Sequence, residues 1–303
     1  MARTLNDSRI VYLYEAVRRG SIRAAADGLN IAPSAVSRQI TLLEKELDCT
    51  LIERHSRGIT ATDTGRHLID YHREQLAHQN DLLSRLEDLR GLRRGQVAIV
   101  LGEGFVTDLL AGPITHFCRQ YPAISLQLDL AGTNEVVRRV VEDEAEIGLV
   151  YNPPADPKMV SRAIRRQALK AVVWRDFPLR GRQDGLSLQE LTAFPLAITH
   201  SAYGIRQMLH ALEITERIHL QPVVTTNSLT VLKEFVKQEL GVSCLPDFAV
   251  AREIDAGELF TMPLLHPVLE TAEAHLITRA GRRLSGAAAR MLQLMTAQLR
   301  SLR

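Results

Sequence analysis

Apolar residues near the start of the chain recur every three or four positions. Ile10, Leu13, Tyr14 and Val17 form one such stripe, the spacing of a helix packed on one face. Asp7 or Ser8 can cap this helix and Gly20 stops it. Ser21 caps a second helix through Ala24, Ala25, Ala26 and Leu29, whose three alanines let another helix approach closely. Val36, Ile40, Leu43 and Leu47 mark a third. The period then changes in LIERHSRGITAT, residues 51–62. Leu51-Ile52 and Ile59-Thr60 flank Arg54-His55-Ser56-Arg57-Gly58, and Gly58 favours a turn, so the stretch predicts a small β-hairpin with arginines near its tip. Thr62 or Thr64 can cap a long helix reaching about Leu92, apolar on one side through Leu68, Leu76, Leu82, Leu83, Leu86 and Leu89. Nearly thirty residues make a rod of roughly 40 Å. A rod with one apolar side calls for a partner, and a second copy of the chain is the simplest.

GLRRGQ, residues 91–96, breaks the helical pattern. VAIVL (97–101) is a continuous apolar run, as in a strand buried on both faces. A helix follows, then ISLQLDL (124–130), a helix near 134–144 and EIGLVY (146–151). The alternation resumes with ALKAVVW (168–174), PLAIT (195–199), PVVTT (222–226), a helix over 228–239 and GVSCLP (241–246). Leu284, Ala288, Met291, Met295, Leu299 and Leu302 then stripe a helical tail over 282–302. Strands alternating with helices imply an α/β fold with parallel sheets. The chain divides into 1–62, 63–94 and 95–303, the last forming two small lobes, one of about 95–165 and 268–303 and one of about 166–267.

With 303 residues, 46% hydrophobic and 24% charged, the chain has the composition of a globular protein of about two to three domains. Its net charge of only +2 means that any basic patch is local. Three cysteines, Cys49, Cys118 and Cys244, are odd in number and far apart, which argues against a disulfide framework and fits a reducing cytosol; a redox pairing of Cys118 with Cys244 stays open. MARTLNDSRI has no apolar core, so no signal peptide is expected. No eighteen apolar residues run uninterrupted, so no membrane partner and a cytoplasmic location are expected.

Chemistry concentrates first in GLNIAPSAVSRQI, residues 28–40. Helix, tight turn, helix is the helix-turn-helix pattern. The turn needs one residue at positive φ, which Asn30 tolerates better than most. Pro33 suits the first helical position, where its missing N–H is no loss. The face opposite the apolar stripe carries Ser34, Ser37, Arg38 and Thr41. Short side chains let a helix lie close in a major groove, and one long Arg can reach guanine O6 and N7. The bland alternative is a three-helix cap with a solvated polar face. The hairpin would bring Arg54 or Arg57 near the phosphate backbone or minor groove of double-stranded DNA; the rival for Arg54 is a salt bridge with a nearby carboxylate.

These residues resemble a known family. Leu13-Tyr14-Glu15-Ala16-Val17, Gly20-Ser21, Ala24-Ala25-Ala26, Leu29, APSAVSRQITLLEKEL and LIERHSRGITATDTG look like the DNA-binding region of LysR-type transcriptional regulators. The resemblance is dense over residues 5–65 and weaker beyond. It implies a winged helix-turn-helix, a linker helix that dimerises, and a two-lobed, periplasmic-binding-protein-like effector domain. It also implies an inverted-repeat operator bound as a homodimer or homotetramer, with RNA polymerase as a further partner. Carried over by residue, DNA contacts fall on Pro33, Ser34, Ser37 and Arg38, and on Arg57 in the wing. Tyr14 stands where Phe is usual, Asp48 where Gly is common, and Ala32 replaces the usual Ser or Thr cap.

In the second half, Gly102-Glu103-Gly104-Phe105 follows a strand, but Thr107 stands where a dinucleotide fingerprint needs its third glycine. The better reading is a strand-to-helix turn facing a ligand. Thr133-Asn134, Tyr151-Asn152, Thr199-His200-Ser201 and Thr226-Asn227-Ser228 occupy corresponding turns, at the carboxyl ends of strands where open α/β sheets bind ligands. Effector contacts are therefore expected from Gly102, Glu103, Gly104, Phe105, Thr133, Asn134, Tyr151, His200, Ser201 and Asn227, although each could serve its turn alone. Glu103 would favour a ligand with a cationic or donor group; its alternative is to complement the dipole of its own helix. A carboxylate or an amino acid is the expected effector. The ten histidines show no metal spacing and no catalytic constellation is visible, so no cofactor, metal or enzymatic activity is expected.

Overall fold

The structure is a computed structural model and describes residues 7–56, 58–89, 95–182 and 184–302. The chain forms two compact units, residues 1–82 and 83–303.

The first unit opens with α1 (Asp7–Arg18), α2 (Ile22–Leu29) and α3 (Pro33–Leu47). Their expected stripes meet: Ile10, Leu13, Ala25, Ala26, Val36, Ile40 and Leu43 are all essentially inaccessible. The Ser21 hydroxyl caps α2 by accepting from the Ala24 amide. Asn30 takes the left-handed conformation at φ 55° and closes the turn. Pro33 starts α3 behind Ala32, which offers no side-chain cap. Asp48 also sits at φ 54°, so the bend after α3 keeps the left-handed form without a glycine, as a short polar side chain permits.

The hairpin is β1 (Ile52–His55) and β2 (Gly58–Ala61), paired antiparallel with Arg54 opposite Ile59. Gly58 lies at φ 130°, and a β-carbon there would fall 2.3 Å from the Gly20 carbonyl oxygen. That carbonyl accepts from the Ile59 amide, so the hairpin is docked on the α1–α2 turn. The long helix α4 (Asp63–Leu89) is capped by Thr62, whose hydroxyl accepts from the Gly65 amide. The break expected at 91–96 lies largely outside the described residues, as do the side chains of Leu83, Leu86 and Leu89.

The second unit holds two five-stranded sheets. The first part of the chain gives β3 (Gly95–Leu101), α5 (Val106–Leu109), α6 (Thr115–Gln120), β4 (Ile124–Leu130), α7 (Thr133–Val141), β5 (Ile147–Tyr151) and β6 (Met159–Arg166). Pro113 has no amide to donate, and a π-type turn over Leu110–Ile114 separates α5 from α6 where one helix was expected. The chain then forms β7 (Leu169–Trp174), α8 (Leu188–Leu191), β8 (Leu196–Thr199), α9 (Gly204–Thr215), β9 (Pro222–Thr226), α10 (Leu229–Lys237), β10 (Val242–Pro246), α11 (Ala251–Asp255) and β11 (Leu259–Pro263). It returns with α12 (Pro267–Glu270), β12 (Glu273–Arg279) and α13 (Gly286–Gln298).

Strand order is β4-β3-β5-β12-β6 in one lobe and β11-β7-β10-β8-β9 in the other. The sheets are mixed, not wholly parallel. β3 pairs parallel with β4 and β5, and β8 with β9 and β10, but β12 pairs antiparallel with both β5 and β6, and β7 antiparallel with both β10 and β11. The sequence pattern passes over β6, β11 and β12. β6 carries exposed arginines on a sheet edge, and its polar face hides the apolar run that a covered strand shows. The two crossings between lobes run side by side, with the Gln167 amide donating to the Ala272 carbonyl.

Candidate nucleic-acid interface and effector cleft

Helical phase alone decides what α3 shows to solvent. With Val36, Ile40 and Leu43 buried, Ser34, Arg38, Thr41 and Lys45 emerge as one exposed stripe, and Pro33 is exposed at its head. Arg38 has no carboxylate partner among the described residues. The stripe therefore presents two short hydroxyl side chains and an unpaired guanidinium along the first turns of the helix. Ser37 lies off this stripe and is half-buried. Its hydroxyl accepts from the Arg54 guanidinium of β1 at 3.4 Å. Arg54 is thus tied to α3 instead of to a carboxylate, and Ser37 serves as its positioning partner. Arg57 lies outside the described residues.

Ionic contacts in the same unit engage other arginines. Glu15 accepts from both Arg18 and Arg19 at 2.8 Å. Burial alone would raise its carboxyl, but the hydrogen bonds and charges of Arg19 and Arg18 outweigh that and leave it below the usual carboxylate range. Arg9 pairs with Glu46.

In the second unit, the carboxyl ends of β3, β4, β5, β8, β9 and β10 converge where the two sheets face each other. The cavity between them measures about 40 Å³, room for on the order of three waters. Gly102, Glu103, Gly104, Phe105, Thr133 and Tyr151 line it. Asn134, His200, Ser201 and Asn227 are exposed and stand outside the lining.

Several expected effector contacts are already engaged across the cleft. Glu103, at the end of β3, accepts from the Leu229 amide at 2.6 Å through Oε2. Its Oε1 accepts from the Thr230 amide at 3.3 Å and hydroxyl at 3.2 Å. Glu103 therefore caps α10 of the opposite lobe while it lines the cavity, a contact that the expected readings, a ligand cation or the dipole of its own helix, did not include. Hydrogen bonds to charged groups contribute about 1.5–3 kcal/mol each. Thr133 accepts from the Gly204 amide at 2.8 Å and donates to the Tyr151 carbonyl at 3.3 Å. Asn134 accepts from Gln207 at 3.0 Å. Gly204 permits this approach, since a β-carbon there would lie 2.4 Å from the Tyr151 carbonyl oxygen.

The pattern of strands and turns passes over Phe248 and Tyr203. Phe248 follows β10 and stacks on Phe105 with ring centroids 4.7 Å apart; Tyr151 adds a tilted contact at 6.0 Å. The signal for Phe248 is the turn after GVSCLP, a sixth strand end of the same kind. Tyr203 donates to the Asn227 carbonyl at 3.0 Å and Tyr151 to that of Gln167 at 2.7 Å. Burial raises both phenols above their usual range, with Asp247 adding to Tyr151 and Glu103 to Tyr203. Cys244 is buried in β10 and its thiol is pushed up to about 12 by burial, whereas Cys118 is exposed on α6; both are free. A redox pairing of the two finds no support in this arrangement. Among the described residues no group of three or more His, Cys, Asp or Glu is placed to hold a metal ion, and no helix is long and apolar enough to cross a membrane.

Comparison with known proteins follows the same division. Residues 8–66 match the family described as bacterial regulatory helix-turn-helix protein, lysR family. Residues 90–300 match the LysR substrate binding domain. The chain is 28% identical over 293 residues to the SDS degradation transcriptional activation protein of a Pseudomonas species, covering 95% of this chain and 94% of that one. Full-length CbnR, solved with its target DNA, superposes with a TM-score of 0.52 at 19% identity over 98% of this chain and 100% of that one. The regulatory domain of Synechocystis CcmR, solved with 2-PG, superposes at 0.60 and 17% identity over 68% of this chain and 98% of that one.

Proposed function

The chain belongs to the LysR family of DNA-binding transcription regulators with an effector-binding domain, and on that premise we propose how its own residues divide the work. Residues 1–62 form the winged helix-turn-helix domain, 63–94 the linker that dimerises, and 95–303 the effector domain. The start of α3 enters the major groove. Arg38 reads a base edge there, Ser34 and Thr41 lie against base edges or phosphate, and Pro33 lets the helix end approach closely. Arg54, held by Ser37, and Arg57 follow the adjacent backbone or minor groove. The observation that carries this reading is the exposed, unpaired Arg38 on a stripe of short side chains, opposite a fully buried apolar face.

Association through α4 is supported by Tyr71, Leu76 and Leu82, which are 41%, 38% and 56% exposed on that helix. Apolar side chains left open on a long helix fit a second copy better than water. A homodimer, or a homotetramer built from two, would place two copies of α3 on an imperfect inverted repeat at the nucleoid, with RNA polymerase as the further partner. The effector is a small molecule held in the cleft between the lobes. A carboxylate or amino-acid effector would have to find its cation in a lining that offers none among the described residues.

Selection of bound duplexes from a random pool by the full chain tests this reading. Enrichment of an imperfect inverted repeat is expected. Retention of DNA with no enriched sequence would contradict it.

A further inference from the structure

We propose that the cleft takes an uncharged, largely apolar molecule, and that Glu103 keeps carboxylates out by holding the N-terminus of α10. The inference rests on the cleft being the effector site.

Lining chemistry sets the ligand class. Among the described residues no Arg, Lys or His borders the cavity. A carboxylate moved from water into an apolar lining without a cation or several donors is strongly disfavoured. The natural seat for an anion here is the N-terminus of α10, a nine-residue helix whose first amides face the cleft. Glu103 already occupies it, with both carboxylate oxygens engaged by Leu229 and Thr230. A tethered carboxylate competes as if it were present at millimolar levels or more, on the order expected for short connections. An anionic ligand that displaced it would also meet the Glu103 charge left in the same cavity.

What remains favours a neutral ring. Phe105 and Phe248 offer faces from opposite lobes, and Leu229 and Val136 complete an apolar wall. The phenols of Tyr151 and Tyr203 direct their hydrogens to backbone carbonyls. With those hydrogens and both Glu103 oxygens already engaged, a charged ligand of either sign finds no free counter-charge among the described lining residues, and an ammonium is disfavoured as a carboxylate is. At about 40 Å³ the cavity is smaller than the roughly 150 Å³ in which an apolar cavity holds benzene. A ring enters only as the Phe105–Phe248 pair parts, which loosens the Glu103–α10 cap and links occupancy to lobe opening.

Calorimetric titration and thermal melting of the full chain with benzyl alcohol, benzylamine and benzoate test this, using wild type, Glu103→Ala and the shape-preserving Glu103→Gln. Wild type should bind benzyl alcohol most tightly, with benzoate at least about tenfold weaker. Both variants should gain benzoate affinity by about tenfold or more, Glu103→Ala because the α10 amides become free and Glu103→Gln because the repelling charge is gone and the new side-chain amide can donate, and Glu103→Gln carries the test if Glu103→Ala does not fold. Benzoate or benzylamine binding wild type as tightly as the alcohol, no binding of any probe, or benzoate affinity unchanged in both variants would each overturn the proposal. Operator binding without a probe, measured on the same proteins, separates the readings. Intact DNA binding with failed ligand selectivity sinks this inference alone, and lost DNA binding in wild type sinks the DNA reading.

Discussion

The exposed face of α3 and the cleft between the lobes are built by different rules. On α3, a buried stripe of Val36, Ile40 and Leu43 fixes the phase of the helix, and the opposite stripe follows from it with no help from distant chain. In the cleft, every polar group is defined by a partner far away in sequence. Glu103 meets Leu229 and Thr230, and Thr133 meets Gly204. A surface set by helical phase stays open for a partner. A surface set by tertiary pairing first satisfies itself, so that a ligand must compete with contacts already made.

Substitutions can break or sharpen this contrast. The largest effect is expected at Ile40→Ala, which empties the apolar face of α3 and should cost about 2–5 kcal/mol of stability. Chemical denaturation followed by a probe in the first unit should show the loss, and a change below about 0.5 kcal/mol would mean that the helix is not held by this stripe. Thr133→Val keeps the shape but removes the acceptor of the Gly204 amide. It should destabilise the second unit by about 1–3 kcal/mol, the cost of a buried unsatisfied donor, while leaving operator affinity of the effector-free protein near wild type. A stability equal to wild type would show that the lobes do not depend on that hydrogen bond.

Two smaller effects concern the first unit. Arg54→Ala should weaken DNA binding uniformly across sequences and reduce the salt slope by about 1; a slope equal to wild type would remove Arg54 from the phosphate contacts. Ala32→Ser should add the missing cap to α3. Ala32 already has the extended backbone of a capping residue, φ −69° and ψ 140°, so a gain of about 0.5–1 kcal/mol is expected. Melting at or below the wild-type temperature would argue that the hydroxyl cannot reach the Ser34 or Ala35 amide.

The same contrast explains what could be read along the chain. Asn30 at positive φ, Pro33 at the helix start, the uncapped Ala32 and the Gly58 hairpin are local features, and each follows from neighbours within a few residues. The position of the cleft was also legible, because it follows from where parallel strands end. The partners inside it were not. Nothing near Glu103 in sequence indicates that its carboxylate crosses to α10, and the exposed Asn134, His200, Ser201 and Asn227 share the turn chemistry of true lining residues without lining the cavity. Asp48 shows the limit on the local side: standing where glycine is common, it keeps a left-handed bend because a short polar residue tolerates that φ.

The account turns most directly on Arg38. The selected operator should be titrated with wild type and Arg38→Ala at one salt concentration, with melting followed on the same preparations. A loss of specific affinity of about 1–3 kcal/mol at unchanged melting temperature is predicted, since the side chain is exposed and unpaired and its role is to reach a base edge. Equal affinity for operator in a protein that melts like wild type would contradict the assignment of α3 as the helix that reads DNA.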